Sequence, residues 1–154
     1  MRGPEAVTPT PTRSPRALLR PAARRALDES VVSLLVPDDP ALLATADVRA
    51  GTSWAAISFA RGDHTLTVHA SREGPPREPT RRGRPAADVP WLDRVRGAPA
   101  LIIVGEGHRV ATWVERGVTY TLDLSCVSAD DPRCARERYL HELASGLVPV
   151  GDAR

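Results

Sequence analysis

Residues Val118–Leu124 alternate strictly, with Val118, Tyr120, Leu122 and Leu124 apolar and Thr119, Thr121 and Asp123 between them. A period of two puts every apolar member on one side of an extended strand. The preceding Arg116-Gly117 reads as a two-residue hairpin loop, which sets Trp113 opposite Tyr120 and Ala111 opposite Leu122. His108–Val114 is then the strand before it. Gly105-Glu106-Gly107 is a further turn and Ala100–Val104 a third strand. One face of this meander is apolar, and the other carries Thr112, Thr119, Thr121 and Asp123. A strand set with one buried and one wet face is an antiparallel sheet.

The same pattern occurs earlier in the chain. Ala55, Ile57 and Phe59 share one side of Ser53–Ala60, and Leu66 and Val68 share one side of His64–Ala70. Arg61-Gly62-Asp63 between them predicts a hairpin turn. Its position at Arg61-Gly62 or at Gly62-Asp63 shifts the pairing by two residues and keeps the same apolar face inward. The tripeptide also matches an integrin-binding motif, but a turn accounts for it.

The flanks read differently. Residues 1–21 contain five Pro and a Thr-Pro-Thr-Pro-Thr run, and we take residues 1–29 as a flexible Pro/Thr/Arg-rich leader. It lacks the apolar centre of a signal peptide, so an export signal would have to lie upstream of Met1. Leu27, Val31, Leu34 and Leu35 fit a helical face, yet 31–36 also fits a buried strand. The expectation is a helical turn to about Glu29, then a strand over 31–36. Asp38 or Asp39 should cap a short helix through Leu43, with Pro40 in its first turn. Residues 72–90 hold Pro75, Pro76, Pro79 and Pro85, five Arg and almost nothing apolar, and read as a disordered loop. At the C-terminal end Asp131 is the expected N-cap, Pro132 the first helical residue and Gly146 the left-handed stop. Leu140, Leu143, Ala144 and Leu147 make a single stripe facing the sheet. The fold class is therefore α+β: an antiparallel β-sheet, hairpin plus three-stranded meander, with a C-terminal α-helix on one face. A single domain spans 30–149, and 150–154 is a tail.

Apolar residues are 42% of the 154 and charged residues 26%, the balance of a globular domain. The longest apolar runs are far short of the roughly 20 residues of a membrane-spanning helix. All 21 basic residues are Arg, and the formal net charge is only +2. Two basic clusters stand out: Arg13, Arg16, Arg20, Arg24 and Arg25, and then Arg77, Arg81, Arg82 and Arg84. Either could meet phosphate or lipid headgroups. Both lack the interleaved aromatics on which single-stranded bases stack, which argues against nucleic acid.

Cys126 ends the last strand and Cys134 opens the helix, with seven residues between them. A strand end and the helix start after it can approach within the ~4.4–6.8 Å that a disulfide needs. The spacing fits neither a redox pair nor a zinc site. A disulfide between Cys126 and Cys134 is expected, and with it an oxidising compartment. No catalytic residues are assigned. His141 lies two turns from Cys134, too far for a nucleophile–base pair. His64 and His69 are five apart on a strand and face opposite sides, so they cannot share an ion. Gly105-Glu106-Gly107-His108 opens a strand, with no helix N-terminus for a phosphate. No cofactor or metal is expected.

Arg96-Gly97, Val110-Ala111-Thr112-Trp113, Glu115-Arg116-Gly117, Tyr120 and Glu142-Leu143-Ala144-Ser145-Gly146-Leu147 together resemble a small domain. It is found on the outer face of some bacterial membrane anti-sigma factors and in related envelope proteins. The resemblance runs from Arg96 to Leu147; the Cys pair lies outside its pattern, and no transmembrane helix precedes the domain in this chain. It implies an extracytoplasmic sensing or protein-contact domain without catalytic residues. The resulting expectation is a non-enzymatic, periplasmic or outward-facing domain that binds a protein or envelope component. Its surfaces would be Thr112, Thr119 and Thr121 on the wet face and Arg77, Arg81, Arg82 and Arg84 in the loop. The alternative is a cytoplasmic module that holds an anionic partner through its Arg clusters.

Overall fold

A computed structural model describes residues 13–73, 80–81, 84–85 and 93–150. Its centre is a seven-stranded antiparallel sheet in the order β2-β3-β4-β10-β9-β8-β7. These strands are β2 (Asp47–Ala50), β3 (Trp54–Arg61), β4 (His64–Ser71), β7 (Asp93–Val95), β8 (Ala98–Gly105), β9 (His108–Glu115) and β10 (Val118–Cys126). The expected hairpin and meander are both present, and β4 joins them by pairing with β10, Val68 opposite Leu122. The hairpin loop is Gly62-Asp63, because Arg61 pairs with His64 and Gly62 takes a φ of 61°. In the meander Trp113 pairs with Tyr120 and Ala111 with Leu122, as the alternation requires.

The described helices lie over the face that carries Ile57, Phe59, Val68, Trp113, Leu122 and Leu124, each at most 1% exposed. Trp113 stacks on Tyr120 with ring centroids 5.6 Å apart. A second, two-stranded pair closes over this core: β1 (Leu35–Pro37) runs antiparallel to β11 (Leu147–Pro149). The Tyr120 hydroxyl donates to the Ser33 carbonyl at 2.7 Å and ties that pair to the sheet.

Several expectations change. The helical turn expected to about Glu29 is present as α2 (Pro21–Asp28), but the leader expected to be flexible over 1–29 is packed in its described part, where α1 (Pro15–Leu18) precedes it. Leu19, Ala23 and Leu27 are at most 6% exposed, so this segment is part of the core. Residues 1–12 and 151–154 lie outside the described residues, as do 74–79, 82–83 and 86–90 of the 72–90 loop. The described part of that loop is Arg72 and Glu73, held against Ser53, and a two-residue pairing of β5 (Thr80–Arg81) with β6 (Arg84–Pro85). The strand expected over 31–36 shrinks to Leu35–Pro37. Upstream of it, Ser30 Oγ accepts from the Val32 N–H and donates to the Trp54 carbonyl, a local bond that competes with a ladder. The short helix is α3 (Pro40–Thr45), and Asp39 caps it by accepting from the Ala41 and Leu42 N–H groups.

The C-terminal helix is split. Asp131 does cap its start, but α4 (Pro132–Ala135) stops at an extended Arg136 and α5 (Glu137–Ser145) begins anew. The cause is Arg109, whose Nε donates to the Cys134 carbonyl at 2.6 Å and whose Nη2 donates to the Ala135 carbonyl at 2.9 Å. Gly146 is not left-handed either, with φ −84° and ψ −3°. It still ends α5 through its backbone N–H, which donates to the Glu142 and Leu143 carbonyls, and Arg96 adds donors to the Ala144 carbonyl and to the Leu147 carbonyl of β11 while its Nε holds Glu115 at 2.9 Å. Arg109 and Arg96 thus help to satisfy the carbonyls at the ends of α4 and α5.

Candidate functional site

No described helix or strand covers the second face of the sheet. Its central row runs Arg49, Ala56, His69, Thr121, Thr112 and Leu101 across six strands. The next row reads Asp47, Ser58, Thr67, Asp123, Val110 and Ile103. Thr112, Thr119 and Thr121, expected on the wet face, are all on it and half-buried. Their hydroxyls partly serve one another: Thr112 and Thr121 are 3.4 Å apart, and Ser58 and Thr67 are 3.0 Å apart. Trp54 stacks on His69 toward the β3 side, with ring centroids 5.9 Å apart. Asp123 sits 3.4 Å from His108 Nε2. Partial burial raises the Asp123 carboxyl above its ordinary range, and the His108 charge opposes that rise.

The face becomes apolar toward β8. β7 pairs only with Ala98–Ala100, so Leu101–Gly105 have no outer strand among the described residues. Ile103 and Val104 are each 56% exposed there. Edge strands of monomers are normally blunted by charge, Pro or a bulge. The opposite edge, β2, carries Asp47 and Arg49, whereas this stretch of β8 carries no charge at all.

The described clusters on the other side have structural employment. Arg133 donates to Asp131, to Asp63 at 2.6 Å and to His64 Nδ1 at 2.8 Å, and the Tyr139 hydroxyl lies 3.4 Å from His64 Nε2. A guanidinium has no lone pair to offer, so His64 Nδ1 is the acceptor and Nε2 carries the proton. The Arg133 hydrogen bonds pull the Asp131 carboxyl down to about 2 and lower Asp63 as well. Asp63 of the Arg61-Gly62-Asp63 turn is thus engaged, and Arg61 pairs with Asp39 at 3.3 Å. His64 faces the core and His69 the open face, so they cannot share an ion.

Cys126 and Cys134 form a disulfide with their Cα atoms 6.1 Å apart. Of the first Arg cluster, Arg16 pairs with Asp28 and Arg20 donates to the Ala46 carbonyl at 3.0 Å. Arg77 and Arg82 lie outside the described residues, while Arg81 and Arg84 pair backbone to backbone in β5–β6. A groove beside α2 and β2, lined by Arg20, Ala22, Ala23, Ala46, Asp47 and Val48, encloses about 230 Å³. Small-molecule sites usually offer more, ≈ 300–1,000 Å³, with convergent polar groups.

One constellation was missed by sequence reasoning: Asp93, Glu137 and His141 come together between β7 and α5. Glu137 and His141 are four apart, a spacing that puts both on one helix face. The sequence sets His141 only against Cys134, two turns away. Compared with protein-family models, curated proteins and solved structures, the chain matches none.

Proposed function

We propose that this chain is a non-enzymatic extracytoplasmic domain that binds a protein or envelope component on its open sheet face. The observation that carries this reading is the sheet face that no described helix or strand covers. A band of Thr and Ser hydroxyls grades into Leu101, Ile103 and the unpaired β8 edge. Such a surface suits an extended partner segment, which would add a strand along Leu101–Gly105 and lay its side chains over the hydroxyl band. The disulfide supports the compartment, since persistent disulfides form where the surroundings are oxidising. The resemblance to outward-facing anti-sigma factor domains is compatible with a sensing or regulatory role.

The test is site-specific photocrosslinking in the native host. Probes at Thr121 and Ile103 should give one discrete adduct, while a probe at Arg138, exposed on α5, should give none. Adducts of equal yield at all three positions, or none at the first two, would overturn the proposed surface. The compartment is read separately by acid-quenched alkylation and mass spectrometry. Two free thiols at Cys126 and Cys134 would overturn the export reading.

A further inference from the structure

Arg109 is a buried arginine, 7% exposed, and two of its three nitrogens are committed to the Cys134 and Ala135 carbonyls. The third, Nη1, is buried without a hydrogen-bond partner among the described residues. It points toward Glu137, whose Oε1 lies 3.7 Å away, just beyond hydrogen-bond range. A buried guanidinium nitrogen of this kind calls for an acceptor held in place.

Glu137 also belongs to the group formed with Asp93 and His141, whose ligand atoms all lie within 4.8 Å of one another. The three come from two elements that pack together, Glu137 and His141 from one face of α5 and Asp93 from the start of β7. Three arginines beside the group in sequence are engaged elsewhere, Arg94 with the Gly97 carbonyl, Arg96 with Glu115 and Arg138 with Glu142, and Arg136 is exposed to solvent. Two carboxylates against one guanidinium leave a net negative charge, which a cation would relieve and an anion would worsen. A carboxylate has two oxygens, so Glu137 can accept from Arg109 with one and bind a metal with the other. Metal-bound carboxylates are commonly oriented by such an outer donor.

We propose that Asp93, Glu137 and His141 are the protein ligands of a divalent transition-metal site, with Arg109 as the positioning residue for Glu137. One imidazole nitrogen and two carboxylate oxygens suit Zn²⁺, and an all-oxygen set for Mg²⁺ or Ca²⁺ is not present. With Asp93 and Glu137 exposed, the metal keeps at least one position for water or a partner's side chain. Bound there, it ties the edge of the sheet at β7 to α5. This inference does not depend on the proposed open-face partner.

The experiment is a Zn²⁺ titration of tag-free, oxidised full-length protein by calorimetry, with thermal unfolding followed in parallel. One equivalent should bind with micromolar affinity and raise the unfolding temperature. His141→Gln and Asp93→Asn should each weaken binding at least tenfold and abolish the thermal shift, with an unchanged far-ultraviolet spectrum. His108→Gln, at the other His–carboxylate pair, should leave both readouts intact, and excess Mg²⁺ should not compete. Absence of saturable binding up to millimolar Zn²⁺ would overturn the proposal. So would one-equivalent binding that survives both His141→Gln and Asp93→Asn.

Discussion

Reducing the disulfide removes a covalent restraint without altering any other side chain. Cys126 and Cys134 are eight residues apart, so the bond closes a small ring. In the chain-entropy treatment a ring of that size removes about 8 cal/mol/K from the unfolded ensemble, or about 2.5 kcal/mol at 25 °C. The folded state should change little, because three groups besides the disulfide hold α4. Asp131 accepts from the Arg133 N–H at its start, Arg109 binds its terminal carbonyls, and the Arg133 side chain bridges to Asp63 and His64. Urea unfolding with and without a phosphine reductant should therefore show a loss of about 2.5 kcal/mol and a drop in midpoint temperature of roughly 10 °C. The reduced protein should refold with the same near-ultraviolet spectrum, since Trp113 and Tyr120 lie in the core, away from the ring. A loss below about 1 kcal/mol would refute the entropic account, because the ring would then be storing native strain. Loss of the native near-ultraviolet signal on reduction would refute the claim that polar ties alone hold α4.

The other expectations concern single side chains. Arg133 holds the Asp131 carboxyl near 2 against an ordinary 3.8, so its ionised form stabilises the fold above pH 3.8 and that contribution disappears as the pH falls toward 2. Asp131→Asn should flatten the stability curve across that window, and an unchanged acid limb would count against the pairing. Asp123 has the opposite sign, since burial raises its folded pKa and ionisation then costs stability as the pH rises. Asp123→Asn should be at least as stable as the parent in urea at pH 7, the difference closing in acid; a clear loss at pH 7 would show the His108 pair to dominate. Tyr120→Phe leaves the Ser33 carbonyl without its donor and should cost about 1–2 kcal/mol by denaturant titration. Gly107→Ala should cost at least about 1 kcal/mol, because φ is 65° and the new methyl would sit 3.1 Å from the Cys126 carbonyl oxygen.

What was legible beforehand follows from period and turn chemistry. Tyr120 opposite Trp113 needed only the alternation of two strands and a Gly at the second loop position. The disulfide needed only a strand end followed by a helix start. The illegible parts depend on bonds between distant residues. Nothing near Arg136 says that the helix breaks there; the break is made by Arg109, a residue of β9 that alternation alone would place facing the core. Gly146 does stop α5, but in a right-handed conformation, with its N–H on the Glu142 and Leu143 carbonyls and distant Arg96 on that of Ala144. In the N-terminal segment the helical turn ending near Glu29 is legible, but its packing is not, because its prolines read as breakers. Pro15 and Pro21 in fact occupy first turns, where a missing N–H costs nothing, and Leu19, Ala23 and Leu27 still reach the core. Short strands such as β2 and β11 hold too few residues for a period to declare itself. The Asp93–Glu137–His141 group joins residues far apart in the chain, and only the i, i+4 half of it is local.

The placement of these ties concentrates stability on one face of the sheet. The disulfide, Arg96, Arg109, Arg133, the β1–β11 pair and every described helix act on one face of the sheet. The open face contributes cross-strand pairs such as Thr112 with Thr121, worth only about 0.2–1 kcal/mol each. Residues there can therefore change with little effect on folding, whereas Arg109 or Trp113 cannot. A surface that the fold does not need, backed by a sheet held rigid from behind, presents its residues in fixed relative positions. The partner proposed above would lose little to the ordering of the domain on binding. The β8 edge fits the same division. Leu101–Gly105 keep only one ladder, to β9, so a strand added on the other side gains backbone hydrogen bonds without displacing any among the described residues.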